Sequence, residues 1–413
     1  MSLQAIERTA VRDGRSYPVG GLVAAGFEPL VDAFTRNFSF DEEEGASCAA
    51  YVDGQLVAEL WGGWRNRQGT RLWQRDTLVC TMSAGKAVAA AAVALLVEQG
   101  ALDLDAPVAK YWPAFGANGK SGVLLRWVLD HRAGVPALTR TDPPAGALFD
   151  WEWMVSTLAT QAPEWTPGDA AGYHILTQGY ILGEVVRRAA GTSLAQLVRE
   201  VFAQPLAADF HFGVNPADLA RCADILPMTE PRGTLFDRQA VPRESLLGRG
   251  MVNLLEGEDF NSVAWRSAEI SSANGHCTAA GMARIYAMLA AGGELGGRRV
   301  MQGATIERMS EVQHNWVERV MNRPYQQGLG VLRSTYPIAW FGPGANSFGH
   351  HGVGGSIGFA DPDRRIGFAY ATAKFHSRLD TGLRSRRVAE ALYGCLDGEQ
   401  LAVTVHAHEQ ACA

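Results

Sequence analysis

Hydrophobic and polar positions are spaced differently in different parts of the chain. Near the N-terminus, two β-prone runs, Ser47–Val52 and Gln55–Leu60, flank Asp53-Gly54, a dipeptide typical of a two-residue hairpin turn. The spacing becomes helical from about residue 110 to residue 260, and β-prone runs return towards the C-terminus. This pattern predicts an α+β fold, with one antiparallel sheet built from both termini, flanked by helices, and a mostly helical region inserted into it.

The same pattern sets the expected domain organisation. We expect residues 1–109 and 265–413 to form one discontinuous sheet domain, and residues 110–264 to form an inserted, mostly helical domain. Within these units, residues 1–45 are interpreted as a helix-containing arm. Residues 225–260 have no clear period and are interpreted as a long surface loop.

Individual elements can be predicted from their start and stop signals. The C-terminal third is expected to contain three strands, Gln327–Leu332, Ser347–Phe359 and Ile366–Thr372. Apolar or amphipathic runs with capping residues or glycine stops predict helices. These helices are Ser83–Gln99, Trp151–Gln161, Tyr173–Arg188, Ala279–Ala291 and Asp380–Leu396.

The most apolar of these helices begins with a serine and a lysine. Ser83 and Lys86 are three residues apart, so they lie on the same face of a helix with about 3.6 residues per turn. The run from Ala87 to Val97 behind them contains no charged residue, which predicts a buried helix. A buried lysine can lose its proton, which an arginine cannot do, so the pair is a candidate nucleophile and base.

Composition and charge narrow the possible function classes. Hydrophobic residues make up 47% of the 413-residue chain and charged residues 19%, which is typical of a globular protein with a large core. The formal net charge of -6 and the absence of a long basic run argue against nucleic acid or a membrane as a partner. A small-molecule substrate is compatible with this composition.

Targeting and metal-binding signals are also missing from the sequence. The segment Met1–Tyr17 is polar and lacks the apolar core of a signal peptide. The six cysteines are scattered without a C-x-x-C pair, and no His or acidic pair has metal-ligand spacing. We therefore expect a cytoplasmic enzyme with free thiols, no metal and no cofactor.

Three short motifs occur in a fixed order along the chain: Ser83-x-x-Lys86, Tyr173 in mid-chain, and His350-His351-Gly352 near the C-terminus. In this order they resemble the S-x-x-K, Y-x-N and K-T-G motifs of the serine β-lactamase and penicillin-binding superfamily. The resemblance is closest to the class C-like branch that includes family VIII carboxylesterases, where H-x-G or W-G-G often replaces the third motif. It spans most of the chain and implies a β-lactamase/transpeptidase-like fold and a serine hydrolase.

The resemblance also implies roles for the motif residues. Ser83 would form the acyl-enzyme, and Lys86 with a lowered pKa would take its proton, directly or through Tyr173. A Tyr173 phenolate beside an ammonium is the alternative form of the same base. The main-chain N–H groups of Ser83 and Val353 would form the oxyanion hole.

The third motif contains two adjacent histidines, either of which could face the cleft. His350 and His351 alternate on a predicted strand, so only one of them is expected to face the cleft, and placing Gly352 at the third motif position favours His350. We therefore expect His350, Gly352 and Val353 to contact the substrate. Other histidines are interpreted as structural or supporting residues, namely His131, His276 and His174.

Two departures from the family pattern bear on the substrate. Ile175 stands where the family has Asn, and His350 stands where lactam-binding members have Lys. Both changes weaken recognition of a penicillin-like amide and carboxylate, so hydrolysis of small carboxylic esters is the favoured function. The alternatives are an acyltransferase that passes the same acyl group to an alcohol or amine, and a β-lactamase or D-amino peptidase.

A second serine motif competes for the role of nucleophile. Gly354-Gly355-Ser356-Ile357-Gly358 fits G-x-S-x-G, the nucleophile elbow of α/β-hydrolases. That elbow must be followed by a helix, whereas here a turn and another β-prone run follow. Ser356 is therefore predicted to line the strand beside the oxyanion hole.

Overall fold

Strands lie near both ends of the chain and helices lie between them. The computed structural model describes residues 2–229, 240–256, 259–376 and 380–398. Its strands are β1 (Leu3–Arg12), β2 (Arg15–Ala24), β3 (Gly45–Val52), β4 (Gln55–Gly63), β5 (Val79–Cys80), β6 (Phe210–Phe212), β7 (Gly275–Cys277), β8 (Glu294–Leu295), β9 (Arg298–Arg299), β10 (Val317–Glu318), β11 (Arg323–Pro324), β12 (Leu332–Arg333), β13 (Phe348–His351), β14 (Ile357–Asp361) and β15 (Ile366–Thr372). Its α-helices are α1 (Glu28–Phe40), α2 (Lys86–Glu98), α3 (Leu125–Leu129), α4 (Trp151–Thr160), α5 (Thr177–Ala190), α6 (Leu194–Val198), α7 (Leu246–Gly250), α8 (Val263–Ser267), α9 (Ala279–Ala290), α10 (Gly303–Ser310) and α11 (Leu383–Asp397).

One antiparallel sheet joins the two ends of the chain. Within the described residues it has eight strands in the order β1-β2-β4-β3-β15-β14-β13-β12. The N-terminal and C-terminal parts meet where β3 pairs with β15, with Ala49 opposite Ala369. The predicted α+β fold, with its sheet built from both termini, is confirmed.

Left-handed turn residues connect the N-terminal strands. Asp53 and Gly54 have φ angles of 50° and 73° between β3 and β4, which is the conformation that a type I′ hairpin turn requires. Asp13 and Gly14 adopt the same conformation between β1 and β2. The interpretation of residues 1–45 as a helix-containing arm is therefore wrong for its first half. Strand β1 is mostly exposed, so it lacks the apolar alternation that would have indicated a strand.

Helices cover both faces of the sheet. On one face, α1 and α11 pack with Phe34 and Leu392 against strand residues such as Phe368. On the other face, α9 packs against β3 and β15. Helix α2 is almost entirely buried, as predicted, and its Ala- and Leu-rich sequence favours a helix at this central position. No helix among the described residues is long and apolar enough to cross a membrane.

The region between the two sheet-forming parts contains α3 to α8, and much of it packs into the same apolar core as α2. The predicted helix after Asp150 is present, and the Asp150 side chain caps it by accepting a hydrogen bond from the Trp153 N–H. The surface loop predicted for 225–260 is wrong where it is described, because α7 lies there and Met251 and Leu254 are buried. Residues 230–239 and 257–258 of that prediction lie outside the described residues, and the 110–264 domain boundary stays a prediction.

The glycine-rich tail forms two strands where one was predicted. The predicted strand Ser347–Phe359 is divided, because β13 ends at His351 and β14 begins at Ile357. Gly354 and Gly355 have φ angles of 94° and 109°, which turn the chain in a way that other residues rarely allow. The strand predicted at 327–332 is likewise wrong apart from its last residue, with which β12 begins.

Candidate active site

Ser83 lies in a 3-10 turn directly in front of α2. The predicted α-helix begins three residues later than expected, at Lys86, because Met82–Gly85 forms this tighter turn. Met82 has a φ of 50°, a left-handed conformation that is strained for a bulky residue. The N–H and the hydroxyl of Thr81 both donate to one carbonyl of β7. The turn is thus held in place while Ser83 stays partly exposed at a cavity.

Lys86 is buried at the first position of α2. Its amine donates to the carbonyl oxygens of Ile175, at 2.8 Å, and Ser272, at 2.5 Å. Burial lowers the pKa of Lys86 well below its ordinary value. A neutral amine has two N–H donors, which these carbonyls accept, and a lone pair that can take a proton.

Tyr173 contacts the serine through its hydroxyl and the lysine through its ring. Its hydroxyl forms a hydrogen bond with the Ser83 side chain, and Lys86 Nζ lies 5.0 Å from the centroid of its ring. Burial raises the pKa of Tyr173, so the phenol keeps its proton at neutral pH. This state fits proton transfer through the phenol to a neutral lysine and argues against the phenolate–ammonium alternative. The helix predicted from Tyr173 begins only at Thr177, and Tyr173 lies in the preceding loop.

A buried carboxylate, Glu318, holds the main chain at Tyr173. Glu318 accepts hydrogen bonds from the N–H groups of Tyr173 at 2.8 Å, Val320 at 2.9 Å and Met321 at 2.7 Å. The loop in front of α5 is thereby fastened to β10. Sequence reasoning missed Glu318, because 145 positions separate it from Tyr173 and no local motif marks it.

Two buried histidines pack against Tyr173. The ring of His131 lies 4.8 Å from the Tyr173 ring and stacks on His174 at 5.5 Å. The His174 N–H donates to His131 Nδ1, and His174 Nδ1 donates to the Gly172 carbonyl oxygen at 2.7 Å. Burial lowers the pKa of both histidines, to about 3 for His174. They are uncharged packing partners, in keeping with the roles expected for them.

Both histidines of the third motif line the cavity, so the expectation that only one would face it is wrong. Both lie within β13, but the edge strand β12 pairs only with Phe348 and Gly349, so the sheet edge beside His350 and His351 is open and the cavity reaches both side chains. His350 is the nearer of the two to Tyr173, with 6.2 Å between their ring centroids, and its Nδ1 bonds to the His351 carbonyl oxygen at 2.7 Å. Burial lowers the pKa of His350 well below its usual range, and that of His351 to about 4.

The turn at residues 352–356 brings the third motif against the nucleophile. A Cβ atom on Gly352 would lie 2.1 Å from the Thr81 carbonyl oxygen, so only glycine allows the two segments to approach this closely. The Gly352 N–H donates to the Ser356 carbonyl oxygen at 2.7 Å. Val353 lines the cavity, and its N–H has no hydrogen-bond partner among the residues that the structure describes.

The cavity in front of Ser83 is mainly apolar. It encloses about 740 Å³ of empty space, its mouth included. Its polar lining residues are Ser83, Tyr173, Tyr325, His350, His351 and Asp380. Its apolar lining residues are Met82, Ile175, Leu176, Met251, Leu254, Phe260, Trp265, Ala273, Met321, Leu332 and Val353. In the part of the chain that the structure describes, no group of three or more His, Cys, Asp or Glu side chains is placed to hold a metal ion.

The fold and this arrangement of side chains match a known family. A sequence model described as Beta-lactamase matches residues 31–393 of the chain. The chain belongs to the β-lactamase family. The esterase/β-lactamase LipL of Mycobacterium tuberculosis is 34% identical over 376 residues, which cover 87% of this chain and 83% of LipL.

Two solved structures of β-lactamase-like proteins are similar over most of the chain. A penicillin-binding protein homologue from Caulobacter crescentus is 33% identical, with a TM-score of 0.84, and the match covers 91% of this chain and 99% of the homologue. A family VIII carboxylesterase is also 33% identical, with a TM-score of 0.82 and the same coverage. The resemblance inferred from the motifs is therefore confirmed, and the chain is a hydrolase of the esterase/β-lactamase type.

The rival serine of this β-lactamase family member does not lie in a nucleophile elbow. Ser356 is buried, and its hydroxyl accepts a hydrogen bond from the Thr372 N–H at 3.1 Å. It is followed by strand β14, whereas an elbow requires a helix. The turn and strand predicted after Ser356 are confirmed.

We expect Tyr173→Phe to lower kcat for p-nitrophenyl butyrate by about 10²-fold or more, because it removes the hydroxyl through which Ser83 reaches a base. Glu318 and the histidines contact the main chain and ring of Tyr173, so the variant should fold normally. Steady-state kinetics and thermal unfolding would be compared with those of the wild type.

Tyr325→Phe is the matched control for this substitution. Tyr325 also lines the cavity and is buried, but it lies against His351, 6.4 Å away between ring centroids. Its kcat should change by less than about tenfold, the cost of one neutral hydrogen bond. Equal kcat values for Tyr173→Phe and the wild type would show that Tyr173 only packs.

Proposed function

We propose that the chain is a carboxylesterase that cleaves small carboxylic esters through an acyl-enzyme on Ser83. The observation that supports this best is the arrangement in front of α2. There, a partly exposed serine hydroxyl is hydrogen-bonded to a protonated Tyr173, next to a buried Lys86 whose pKa is lowered. The proposed nucleophile and proton relay thus line one cavity, and the proposed base packs against the relay's ring.

In the first step, Ser83 passes its proton to Tyr173 while Tyr173 passes its own proton to Lys86. The Ser83 oxygen attacks the ester carbonyl carbon, and negative charge develops on the carbonyl oxygen. The N–H groups of Ser83 and Val353 are the proposed donors to this oxygen, and each donor of this kind contributes about 3 kcal/mol to transition-state stabilisation. The Val353 N–H lies at the cavity without a hydrogen-bond partner among the described residues, which supports this role.

In the second step, the tetrahedral intermediate collapses and the bond to the alcohol oxygen breaks. The leaving alcohol takes a proton from Tyr173, which recovers one from Lys86. A water molecule then gives up a proton by the same route and attacks the acyl-enzyme, releasing the carboxylic acid and restoring Ser83. The same groups act as base and then as acid in each half of the reaction.

The cavity lining supports an ester over a lactam as substrate. Ile175 presents an apolar side chain to the cavity where the family has an amide, and its carbonyl is used by Lys86. His350 stands where lactam-binding members have a cation, and burial keeps it uncharged by lowering its pKa. Neither residue supplies the contacts that a lactam amide or carboxylate would need, whereas a short uncharged acyl group fits the apolar walls.

We expect kcat/KM for p-nitrophenyl butyrate to exceed that for nitrocefin by at least about 10²-fold, the discrimination that missing polar contacts produce. Both chromogenic substrates would be measured under the same conditions. The double variant Ile175→Asn, His350→Lys restores the family residues and should reduce the difference in kcat/KM between the two substrates. Equal efficiency of the wild type on both substrates would instead favour a β-lactamase.

An acyltransferase would use the same acyl-enzyme and differ only in the acceptor. The same ester assay can therefore be repeated with an added alcohol, amine or thiol, and the products separated into free butyrate and the new acyl product. Free butyrate as the main product supports the esterase. A predominant transfer product at low acceptor concentration would favour the acyltransferase.

A further inference from the structure

The turn that carries Val353 is held from behind by a buried ion pair far away in sequence. We infer that Arg384, paired with Glu43, is a positioning residue that fixes the 352–356 turn and hence the Val353 N–H in the oxyanion hole. This inference rests on the proposed function for the meaning of that N–H, but the contacts of Arg384 are independent of it.

Arg384 lies in the first turn of α11 and contacts the turn directly. Its Nη2 donates to the Gly354 carbonyl oxygen at 3.2 Å and also to the Lys374 carbonyl oxygen. The Gly354 carbonyl lies two peptide units beyond the one that carries the Val353 N–H, so the arginine holds the turn close to the proposed oxyanion donor. The turn is confined on another side by Phe375, which lies 2.1 Å from where a Cβ atom on Gly354 would be.

Glu43 lies within ion-pair distance of the other end of the guanidinium. Its Oε2 lies 3.1 Å from Arg384 Nη1, and the two side chains are 0% and 5% exposed. Glu43 also accepts hydrogen bonds from the Tyr370 hydroxyl at 2.8 Å and the Thr372 hydroxyl at 2.9 Å, both on β15. The carboxylate is therefore anchored in the sheet, and the arginine is held between the sheet and the turn.

A second connection reaches the same turn through β15. The Thr372 hydroxyl donates to Glu43, and the Thr372 N–H donates to the Ser356 hydroxyl at 3.1 Å. Ser356 in turn accepts the Gly352 N–H through its carbonyl oxygen. Glu43 is thus linked to the turn at two points, through Arg384 at its middle residue, Gly354, and through Thr372 at its last residue, Ser356.

Stability alone is a weak reason for a buried ion pair. Apolar residues of similar volume often stabilise a core as well or better, because burying two charges costs desolvation energy. Here the pair instead brings charged donors to a carbonyl of a glycine turn, which no apolar pair could bind. An oxyanion donor must lie about 2.7–3.1 Å from the developing charge. Loss of the hydrogen bond from Arg384 to Gly354 should therefore weaken transition-state stabilisation more than substrate binding.

The chain offers a matched control on the same helix. Arg387, also on α11, pairs with Asp41 at 2.5 Å and donates to the Asn37 side chain, both outside the 352–356 turn. It therefore also ties α11 to the end of α1. Arg387→Met should reduce stability without changing kcat.

Three variants test the inference: Arg384→Met, the double variant Glu43→Gln with Arg384→Met, and Arg387→Met. The double variant removes the buried carboxylate charge that Arg384→Met would leave unpaired, so it should fold even if the single variant does not. With p-nitrophenyl butyrate as substrate, both Arg384 variants should have a kcat about 10–10²-fold lower than the wild type and a similar KM. The upper value is the loss expected when one oxyanion donor, here the Val353 N–H, is misplaced. Hydrogen exchange at residues 352–356 should become faster in both and stay unchanged in Arg387→Met.

Two outcomes would overturn the role of Arg384. One is a double variant with wild-type kcat, which would mean that the Gly354 contact is dispensable. The other is hydrogen exchange at residues 352–356 that is as slow in the Arg384 variants as in the wild type. If the wild type hydrolyses no ester at all, the proposed function fails, while the exchange comparison still decides whether Arg384 holds the turn.

Discussion

Replacing Lys86 with arginine should lower kcat/KM for ester hydrolysis by about 10³-fold, nearly as much as replacing it with alanine. Arginine keeps a positive charge but does not lose its proton near neutral pH, so it cannot accept the proton of Ser83. The carbonyl oxygens of Ile175 and Ser272 would then surround a permanent cation. Steady-state kinetics with p-nitrophenyl butyrate measure the effect, and an arginine variant with most of the wild-type kcat would rule out Lys86 as the base.

The pH dependence of the wild type follows from the same assignment. The active form has a neutral Lys86, and burial lowers its pKa, so kcat/KM should rise with pH and level off well below the ordinary lysine pKa of 10.5. Burial raises the pKa of Tyr173, so the phenol should stay protonated over this range. A rising limb centred at 10.5 or above would contradict a neutral Lys86.

Burial of Lys86 should also cost stability. Between the lowered pKa of Lys86 in the folded chain and its ordinary pKa of 10.5, the lysine is protonated in the unfolded chain but neutral in the folded chain. The unfolded chain therefore binds one more proton in this pH range, and the stability of the wild type rises with pH across it. Lys86→Met should therefore be inactive but more stable at neutral pH. The difference in free energy of unfolding between Lys86→Met and the wild type should grow by about 1.4 kcal/mol for each pH unit below 10.5, until the pKa of Lys86 in the folded chain is reached. Denaturant unfolding at several pH values measures this difference.

Lys120 provides a control for the lysine substitutions. It is also buried, and it donates to main-chain carbonyls of Ala117, Ala159 and Gln161, but its amine lies over the Phe115 ring, whereas that of Lys86 lies over the Tyr173 ring. Lys120→Arg should change stability while kcat stays within about tenfold of the wild type. A loss of activity equal to that of Lys86→Arg would mean that both variants act through the fold.

The parts of the site that depend on local spacing could be predicted from the sequence. Ser83 and Lys86 are three positions apart in front of an apolar run, and that spacing places both at one helix start. The β3–β4 hairpin followed in the same way from Asp53-Gly54, whose left-handed turn is a local property. The glycine pair at 354–355 was equally visible, but apolar residues on both sides of it gave a continuous β-prone pattern, so one strand was predicted instead of two.

The rest of the site depends on contacts between distant segments. Glu318 reaches Tyr173 across 145 positions, and Glu43 meets Arg384 from the opposite end of the chain. No periodicity encodes such pairs, because each partner is an ordinary charged residue in its own segment. The two cavity-lining histidines were misjudged for a related reason: the cavity reaches both of them at a sheet edge that the short strand β12 leaves open, and the length of β12 cannot be read from the spacing within β13.

Ser83→Ala should abolish ester hydrolysis, with kcat lowered by about 10⁴-fold or more, because no other group in the proposed mechanism can form the acyl-enzyme. Ser356→Ala should stay within about tenfold of the wild type, since it loses one neutral hydrogen bond to Thr372 while the main-chain bonds of the turn remain. Both variants would be assayed with p-nitrophenyl butyrate after their folding has been verified.

The most direct test of Ser83 as the nucleophile is peptide mapping of the folded protein after reaction with a fluorophosphonate, which forms a covalent bond with an activated serine. We expect a single labelled peptide, containing Ser83, and no labelling of the Ser83→Ala variant. A labelled peptide containing Ser356 would contradict the acyl-enzyme assignment and favour the nucleophile-elbow alternative.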